Sequence, residues 1–395
     1  MIRKTIGECF CYIQNGANIK QGVVDGGYPI TRIETISNNQ FNRDRMGYAG
    51  ITELGKYEAN VLEDGDLLMS HINSVQYLGR TVLYKKIEDE VIIHGMNLLR
   101  LKANRNIIDP AYARYYFSSI DFKRQMENIT KKSVNQASFA VADLKKLGII
   151  LPDLSKQQAI VDELDRIQNL IQLRMIQLDL FDELIKSRFV ELFGDSVVNP
   201  KSWETAPLSA LIINANNGMA RRGKDADGSI VLRLVELQNG FIDYSAPNRI
   251  CLNETEKKRY ELIDNDFLFA RVNGNPDYVG RCAVFKSIDE PVFHNDHIIR
   301  VHFDEAKING CFMSVLLNSD YGKRQMRKQI KTSAGQYTIS QDGIGAIMAI
   351  LPPMELQNQF AAFVEQTDKS KVVIQESLRI AEYLFDSLMQ KYFGE

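Results

Sequence analysis

Two short patterns in the sequence contain side chains that commonly bind metal ions. His294 and His297 stand three residues apart, a spacing at which two imidazoles can share one ion, and a C-x-C pattern occupies residues 9–11. Neither pattern is accompanied by a nearby cluster of further cysteines, histidines or carboxylates. We therefore expect hydrogen-bonded structural histidines and inert thiols here, and no metal site.

Two further patterns could belong to an enzyme. Residues 275–278 read N-P-D-Y, one residue away from the N-P-P-Y motif of amino-methyltransferases, but no glycine-rich adenosylmethionine loop accompanies them. The same Pro-Asp pair, with E-A-K at 305–307, fits a loose nuclease pattern that the first half of the chain lacks. A Walker-type phosphate loop and a G-x-G-x-x-G after a strand are also missing. A turn and solvated loop charges explain these residues better, and a single-chain nuclease or methyltransferase with two heads stays open as the alternative function.

A more consistent chemistry is basic and amide-bearing, and it occurs in both halves of the chain. Lysine and arginine can hold phosphates, while amide side chains can make paired hydrogen bonds to adenine edges. Solvated helix ends are the competing interpretation. Segments 42–48 and 243–249 differ in sequence, so each half could read different bases. The candidates for DNA contacts are Arg43, Arg45, Arg80, Lys131, Lys132, Asn135, Gln136, Arg221, Arg222, Arg281, Lys331, Thr332 and Gln336.

The composition is that of an ordinary globular protein. The 395 residues, 45% hydrophobic and 25% charged, suffice for two or three domains. No run of 18 apolar residues occurs, so we expect no membrane span. No apolar segment follows the first basic residues, so we expect no secretory signal. Five irregularly spaced cysteines argue for reduced thiols and a cytoplasmic protein. The net charge of −2 hides an alternation along the chain, from mildly basic to acidic, near neutral and acidic.

This alternation reflects an internal repeat of about 200 residues. The run K-R-Q-M at 123–126 recurs intact at 323–326, and Y-L-G-R at 77–80 is answered by Y-V-G-R at 278–281. Four matches in a row at one register are far from chance. The chain therefore consists of two copies of one unit.

The first 150 residues of each copy have the pattern of a mixed α and β domain. Short apolar runs at 28–33, 66–70, 80–83 and 97–101 have the length of strands, and residues 111–128 have helical periodicity. The second copy repeats this order. The single tryptophan, Trp203, is predicted to be a core residue of the second domain.

Each copy ends in a stretch of about 40 residues with heptad periodicity and no interior proline or glycine. Such a pattern predicts two long helices that pair as an antiparallel coiled coil and act as a spacer. Arg174, Arg188 and Lys371 at seam positions would weaken a dry contact, which suggests a seam that is partly open or completed by another protein. The seam positions include Leu164, Ile171, Leu178, Ile185 and Leu192 in the first helix, and Val364, Leu378 and Phe385 in the second.

The junctions before these helices carry a family resemblance. The sequences L-P-D-L-S-K-Q at 151–157 and L-P-P-M-E-L-Q at 351–357 resemble the L-P-P-L-x-x-Q helix entry of the specificity subunits of type I restriction–modification systems. The helix ends at 188–195 and 388–394, and the regions around Gln136 and Gln336, are also similar. The first junction departs from the pattern with Asp153 in place of the second proline. The resemblance covers nearly the whole chain.

The resemblance implies a non-catalytic subunit with an α+β fold and approximate two-fold symmetry. It implies target-recognition domains at 1–152 and 196–352, each reading one half of a split site on double-stranded DNA. Spacer helices at 153–195 and 353–395 would fix the gap and dock two methyltransferase subunits, and translocating restriction subunits would join them. Adenine methylation with S-adenosylmethionine and cleavage driven by ATP and magnesium would belong to these partners, with no cofactor in this chain.

Overall fold

The computed structural model of the protein describes residues 2–19, 27–133, 136–238, 240–333 and 335–394. The chain divides into two compact units. Unit 1 contains Met1–Met175 and Glu376–Glu395, and unit 2 contains Ile176–Gln375. Each unit therefore combines a mixed domain of its own with parts of both long helices.

The mixed domain of unit 1 is built mainly from antiparallel strands and short helices. A four-stranded sheet in the order β2-β8-β5-β7 forms its centre, and β1 pairs with β11. The strands are β1 (Ile2–Thr5), β2 (Phe10–Asn15), β3 (Pro29–Ile30), β4 (Gly47–Tyr48), β5 (Leu67–Ser70), β6 (Ile72–Asn73), β7 (Thr81–Leu83), β8 (Leu98–Ala103), β9 (Lys131–Lys132), β10 (Ala137–Ser138) and β11 (Gly148–Leu151). The helices are α1 (Ile6–Cys9), α2 (Pro110–Ser118), α3 (Ile120–Ile129) and α4 (Val141–Leu144), followed by the long α5 (Leu154–Phe193).

The mixed domain of unit 2 repeats this plan. Its four-stranded sheet has the order β13-β20-β16-β18, and β12 pairs with β23. Its strands are β12 (Glu204–Pro207), β13 (Ile212–Asn217), β14 (Ser229–Leu232), β15 (Arg249–Ile250), β16 (Phe267–Ala270), β17 (Val272–Asn273), β18 (Cys282–Val284), β19 (Val292–His294), β20 (Ile298–Phe303), β21 (Lys331–Ser333), β22 (Gln336–Thr338) and β23 (Met348–Leu351). Its helices are α6 (Glu254–Tyr260), α7 (Gly310–Asn318), α8 (Asp320–Gln329) and α9 (Gln341–Gly345), followed by the long α10 (Met354–Phe393).

The two long helices have 40 residues each, a length of about 60 Å at ~1.5 Å per residue. Within unit 1, Arg174 Nε donates to Ser377 Oγ, and the Tyr392 hydroxyl donates to Glu163. Residue numbers thus rise along α5 from Glu163 to Arg174 while those of their partners on α10 fall from Tyr392 to Ser377, so the helices run antiparallel. The prediction of a mixed fold with two long helices that pack together is confirmed.

The predicted seam residues lie on the inward face of these helices, but the burial is uneven. Leu164 and Ile185, near the two ends of α5, are buried, whereas Ile171 and Leu178 in the middle are only half-buried. On α10, Val364 is buried and Leu378 and Phe385 are half-buried, as is Leu192 on α5. The seam charge Lys371 lies 2.5 Å from Asp182 in unit 2. Of the eight predicted seam residues, three are therefore buried and five are half-buried.

The ends of the long helices complete the cores of the mixed domains. In unit 1, Leu388 and Phe393 from the end of α10 pack with the buried residues of the mixed domain, and the Phe393 ring lies 5.1 Å from that of Tyr112. In unit 2, the Phe193 ring from the end of α5 lies 4.7 Å from that of Phe312. The core of unit 1 thus needs a helix end from far away in the sequence, whereas the core of unit 2 takes the end of the helix that precedes its mixed domain.

A buried glutamine attaches the beginning of each long helix. Gln157 Oε1 accepts from the Asp109 backbone N–H at 2.8 Å, and its Nε2 donates to the carbonyls of Ile107 and Pro152. In unit 2, Gln357 makes the same three bonds, to the backbone of Asn309, Lys307 and Pro352. These bonds give a physical reason for the L-P-x-x-x-x-Q junctions.

Two local expectations need correction. The predicted helix at 111–128 is two helices, α2 and α3, because Ser119 leaves the helical conformation and its hydroxyl caps α3 by accepting from the Phe122 N–H. Trp203 is half-buried at the edge of the unit 2 core, and its indole donates to the Phe193 carbonyl at 2.9 Å. None of the helices in the described part of the chain has the length and apolar character that a bilayer span requires.

Candidate nucleic-acid interface

Both units carry the same small three-stranded sheet at the surface, which we call the hairpin sheet. It has the order β6-β10-β9 in unit 1 and β17-β22-β21 in unit 2. Lys131 and Lys132 form β9 and are exposed. Lys331 and Thr332, on β21, are exposed as well. The hairpin sheet thus presents lysine side chains to solvent in both units.

The turn of each hairpin carries a predicted amide. Gln136 and Gln336 are exposed, and the Gln136 carbonyl accepts from the Ser133 N–H at 2.8 Å. In unit 2, Gln336 pairs with Ser333 in the strand register. The predicted Asn135 lies outside the described residues.

A second repeated feature, which we call the Tyr–Arg loop, comprises residues 77–80 and 278–281. The Arg80 guanidinium lies 4.4 Å from the centre of the Tyr77 ring, and Arg281 lies at the same distance from the Tyr278 ring. The tyrosines are 40% and 47% exposed and the arginines are half-buried, so each stack presents an aromatic side chain to solvent beside a partly exposed guanidinium. The glycine between them has a positive φ of 76° or 81°, where a side chain would be strained.

In each unit the Tyr–Arg loop and the residue that follows the hairpin sheet are bonded to two consecutive backbone carbonyls. In unit 1, the Gly79 N–H donates to the Ser70 carbonyl at 2.8 Å, and the Phe139 N–H donates to the carbonyl of the next residue, His71. In unit 2, the corresponding acceptors are the carbonyls of Ala270 and Arg271. The hairpin sheet and the Tyr–Arg loop are therefore neighbours on each unit, and together they define the candidate surface. The sequence repeat identified the arginines of the Tyr–Arg loop as candidate DNA contacts. The tyrosines were not predicted as contacts, although the same repeat contains them.

The arginines predicted in the segment 42–48 are already engaged within unit 1. Arg43 makes two hydrogen bonds to the Glu90 carboxylate, at 2.9 and 2.6 Å, and a third to the Lys85 carbonyl. This pairing lowers the pKa of Glu90 to about 2. Arg45 is exposed and donates to Ser37 Oγ at 3.3 Å. Of the two, Arg45 has the charge more available for a phosphate.

Arg221 and Arg222 also have partners within unit 2. Arg221 makes a two-bond contact with Glu256, and Arg222 Nη2 lies 2.6 Å from Asp296 Oδ1. Both side chains remain about half exposed, at 46% and 51%. An exposed ion pair is weak, so a phosphate could compete for either guanidinium.

Several residues that the repeat preserves serve the core instead of the surface. Arg100 is 1% exposed and its Nη2 lies 2.7 Å from the buried Asp66 carboxylate. Burial raises the pKa of Asp66 more than the arginine lowers it. In unit 2, the equivalent Arg300 lies 3.7 Å from Asp266. Identity between the copies therefore marks a shared scaffold here.

The residues that suggested catalysis or metal binding have other surroundings. Asp277 forms an ion pair with Arg327. His294 is buried, and its Nδ1 lies 3.3 Å from the Tyr260 carbonyl oxygen, while His297 contacts Arg222. In the described ranges, no group of three or more metal-binding side chains converges. Each of the five cysteines is a free thiol.

The long helices expose apolar side chains on faces away from the seam. Leu173, Ile176 and Leu180 on α5 are 59%, 52% and 61% exposed. On α10, Val373 and Tyr383 are 67% and 76% exposed. Apolar side chains at these spacings along a helix are typical of a face that another helix covers.

Comparisons with known proteins agree with this organisation. The family model of the type I restriction modification DNA specificity domain matches residues 4–178. A putative type I restriction enzyme specificity subunit (MjaX) of Methanocaldococcus jannaschii is 35% identical, over 81% of this chain and 87% of that protein. The type I restriction enzyme StySPI specificity subunit of Salmonella potsdam is 27% identical over 72% of this chain, and the match covers 65% of that longer protein.

Two solved structures share the fold. The S subunit of a type I restriction–modification system from M. genitalium has a TM-score of 0.60 at 13% identity, and the match covers all of this chain and 96% of that one. A chain from a structural study of complex assembly and conformational transition of the type I R-M system has a TM-score of 0.56 at 14% identity, with 99% and 97% of the two chains covered.

Proposed function

Because the chain belongs to the family of type I restriction–modification DNA specificity subunits, we propose that each unit binds one half of a bipartite site on double-stranded DNA. The observation that carries this proposal is the repeated surface of hairpin sheet and Tyr–Arg loop. Exposed lysines supply sequence-independent attraction to phosphates, while amide and aromatic side chains supply base contacts. Two such surfaces in one chain match a site with two separate halves.

Mapping of methylated bases in cells tests this part of the proposal. Cells that produce the chain with its methyltransferase should carry methylation at one asymmetric sequence with two specified halves. Replacement of residues 196–352 by those of another family member should change one half and leave the other intact. An unsplit site, or changes in both halves, would contradict the assignment of one half to each unit.

The long helices are proposed to set the gap between the half-sites. An insertion of seven residues after Asp179 in α5 and of seven after Val373 in α10 preserves the heptad phase of both helices. It lengthens the pair by ~10.5 Å, about three base-pair steps of ~3.4 Å. The recognised gap should grow by about three base pairs with unchanged half-sites. Altered half-sites with an unchanged gap would show that the helices are not a spacer.

The same helices are proposed to dock two methyltransferase subunits through their exposed apolar faces. A buried charge without a partner is costly, so Leu180→Glu should abolish co-purification with the methyltransferase. Gln158→Glu adds the same charge at an exposed polar position near the start of α5, about four turns before Leu173, and should leave co-purification intact. Equal binding by both variants would place the docking surface elsewhere.

Catalysis is proposed to reside in the partners. Methylation of adenine would use S-adenosylmethionine in the methyltransferase subunits, and cleavage would use ATP and magnesium in the restriction subunits. The alternative of a single-chain nuclease or methyltransferase has no support from the family or the relatives. Purified chain alone should neither methylate nor cleave DNA, and Asp277→Ala should not change the activity of the assembled complex.

A further inference from the structure

Each mixed domain contains a turn with the same backbone support, which we call the tip turn. It comprises residues 37–40 in unit 1 and 238–241 in unit 2, of which Asn239 lies outside the described residues. In unit 1 the Asn42 N–H donates to the Thr35 carbonyl at 2.7 Å across the base of the turn. In unit 2 the Asp243 N–H donates to the Glu236 carbonyl at 2.8 Å. The residues that correspond between the two turns are 201 positions apart in the sequence, as are the two Tyr–Arg loops.

The approach to the tip turn is also repeated. The Arg32 N–H donates to Thr35 Oγ1 at 2.8 Å, and the Arg233 N–H donates to Glu236 Oε2 at 2.7 Å. One apolar residue then fixes the turn to the central sheet, Ile36 in unit 1 and Leu237 in unit 2, each 1% exposed. The supports are therefore equivalent in position although their side chains differ.

The tips themselves differ in chemistry. In unit 1 the tip carries three consecutive exposed amides, Asn38, Asn39 and Gln40. The first two have left-handed backbones, with φ of 56° and 57°, and the Asn42 side chain ties the turn by donating to the carbonyls of Ser37 and Gln40. The turn is held by other groups, so the three amides project from a fixed backbone.

In unit 2 the tip reads Q-N-G-F, so that Asn239 corresponds to Asn38, while glycine and phenylalanine replace the second and third amides. Phe241 is 60% exposed, and Gly240 has a φ of 87° at the position that corresponds to Asn39. The turn adjoins the Tyr–Arg loop, because the Gly240 N–H donates to the Cys282 carbonyl and Arg281 Nη1 donates to Gln238 Oε1 at 3.1 Å. In unit 1 the segment that leads into the tip turn packs against β7, the strand that follows Arg80. The tip turn of unit 2 thus adjoins the Tyr–Arg loop directly, and that of unit 1 lies near the strand that follows this loop.

We propose that the tip turns read bases, and that their differing side chains make the two units prefer different half-sites. The amides of Asn38, Asn39 and Gln40 suit the paired donor and acceptor of adenine in the major groove. Phe241 suits apolar contact with a thymine methyl group. This inference rests on the proposed function, since it specifies which residues of the DNA-binding surface discriminate between bases.

The test uses the full chain with its methyltransferase and synthetic duplexes in which single base pairs of the recognised site are replaced. Glycine adopts a positive φ without strain, so Asn38→Gly with Asn39→Gly removes two amides and keeps the turn, and Gln40→Ala removes the third. Glu88→Gly is the matched control, because Glu88 is exposed and has a φ of 49°.

The triple variant should bind the cognate duplex about 10- to 100-fold more weakly, the factor for one or two lost base contacts. This loss should disappear on duplexes with a replaced A·T pair in one half-site and persist for replacements in the other half. Phe241→Ala should also weaken binding to the cognate duplex, but its loss should disappear on replacements in the second half-site and persist on replacements in the first. Glu88→Gly should match the wild type on every duplex.

Two results would overturn the inference while the proposed function stands: unchanged selectivity of the triple variant, or an equal loss of affinity on cognate and replaced duplexes. A wild-type complex that shows no sequence preference would instead refute the proposed function. Circular dichroism and the preserved selectivity for the other half-site check that the variants are folded.

Discussion

Replacement of Gln157 by leucine tests how α5 is attached to the mixed domain of unit 1. Gln157 is fully buried, and its amide bonds to the backbone of Ile107, Asp109 and Pro152 at 2.8 to 3.1 Å. Leucine has a similar volume, so the substitution removes the hydrogen bonds with little change in packing. It leaves one buried N–H and two carbonyls without these partners.

The cost follows from the groups left unpaired. A buried backbone donor without a partner costs about 1–3 kcal/mol, and carbonyls are somewhat more tolerant because of their second lone pair. We expect Gln157→Leu to lower the free energy of unfolding of unit 1 by about 2–4 kcal/mol. For a unit of this size that corresponds to a fall in Tm of about 5–15 °C.

Two probes separate the units in this experiment. Trp203 is the single tryptophan and lies in unit 2, so its fluorescence follows that unit, whereas circular dichroism follows both. Gln157→Leu should shift the dichroism transition and leave the fluorescence transition in place, and Gln357→Leu should shift the fluorescence. Gln158→Leu is the control, since Gln158 is exposed and donates to Asp162 on the same helix. If Gln157→Leu unfolds within about 0.5 kcal/mol of this control, the reasoning fails.

Three other measurements address pH, truncation and salt. Burial lowers the pKa of His94 to about 3 and of His294 to about 4, whereas both histidines bind protons near pH 6.5 in the unfolded chain. The free energy of unfolding measured in urea should therefore fall by up to about 1.4 kcal/mol per pH unit and histidine as the pH is lowered from 6.5 to 4. Constant stability across this range would contradict the burial of the two histidines. Deletion of residues 376–395, which complete the core of unit 1, should remove the unfolding transition of unit 1 and preserve the Trp203 transition. Lys131→Ala with Lys132→Ala should reduce the slope of log affinity against log salt by up to about 2 without altering base preference; an altered preference would make these lysines base contacts.

The long helices could be predicted because their signal is local. A heptad repeat without interior proline or glycine and a capped entry placed the first helix at 153–195, against Leu154–Phe193 in the structure. The break at Ser119 escaped prediction, since apolar periodicity continues across it and one serine conformation decides the matter. The burial of Phe393 in the core of unit 1, and of Phe193 in the core of the domain that follows it, could not be predicted, because a heptad pattern indicates a buried face and not the partner that buries it.

The candidate site shows the same division between local and tertiary information. The sequence repeat predicted Arg80 and Arg281 as equivalent candidates, and in the structure each stacks on a tyrosine. Nothing in the sequence indicates that Arg43 is paired with Glu90, 47 residues away. The tip turns were missed because their support consists of backbone hydrogen bonds between unlike residues.

The distribution of burial along the helices is compatible with the proposed spacer role beside two folded units. Residues 160–164 and 185–193 of α5 contribute buried side chains to one unit or the other, whereas residues 168–184 contribute none that is fully buried. Length can therefore change in this middle stretch without opening either core. The same stretch exposes Leu173, Ile176 and Leu180, and apolar side chains in water favour any partner that covers them. If the helices set the gap and dock a subunit as proposed, the stretch whose length can vary also carries these exposed apolar side chains, and an insertion that changes the gap would displace the docking residues.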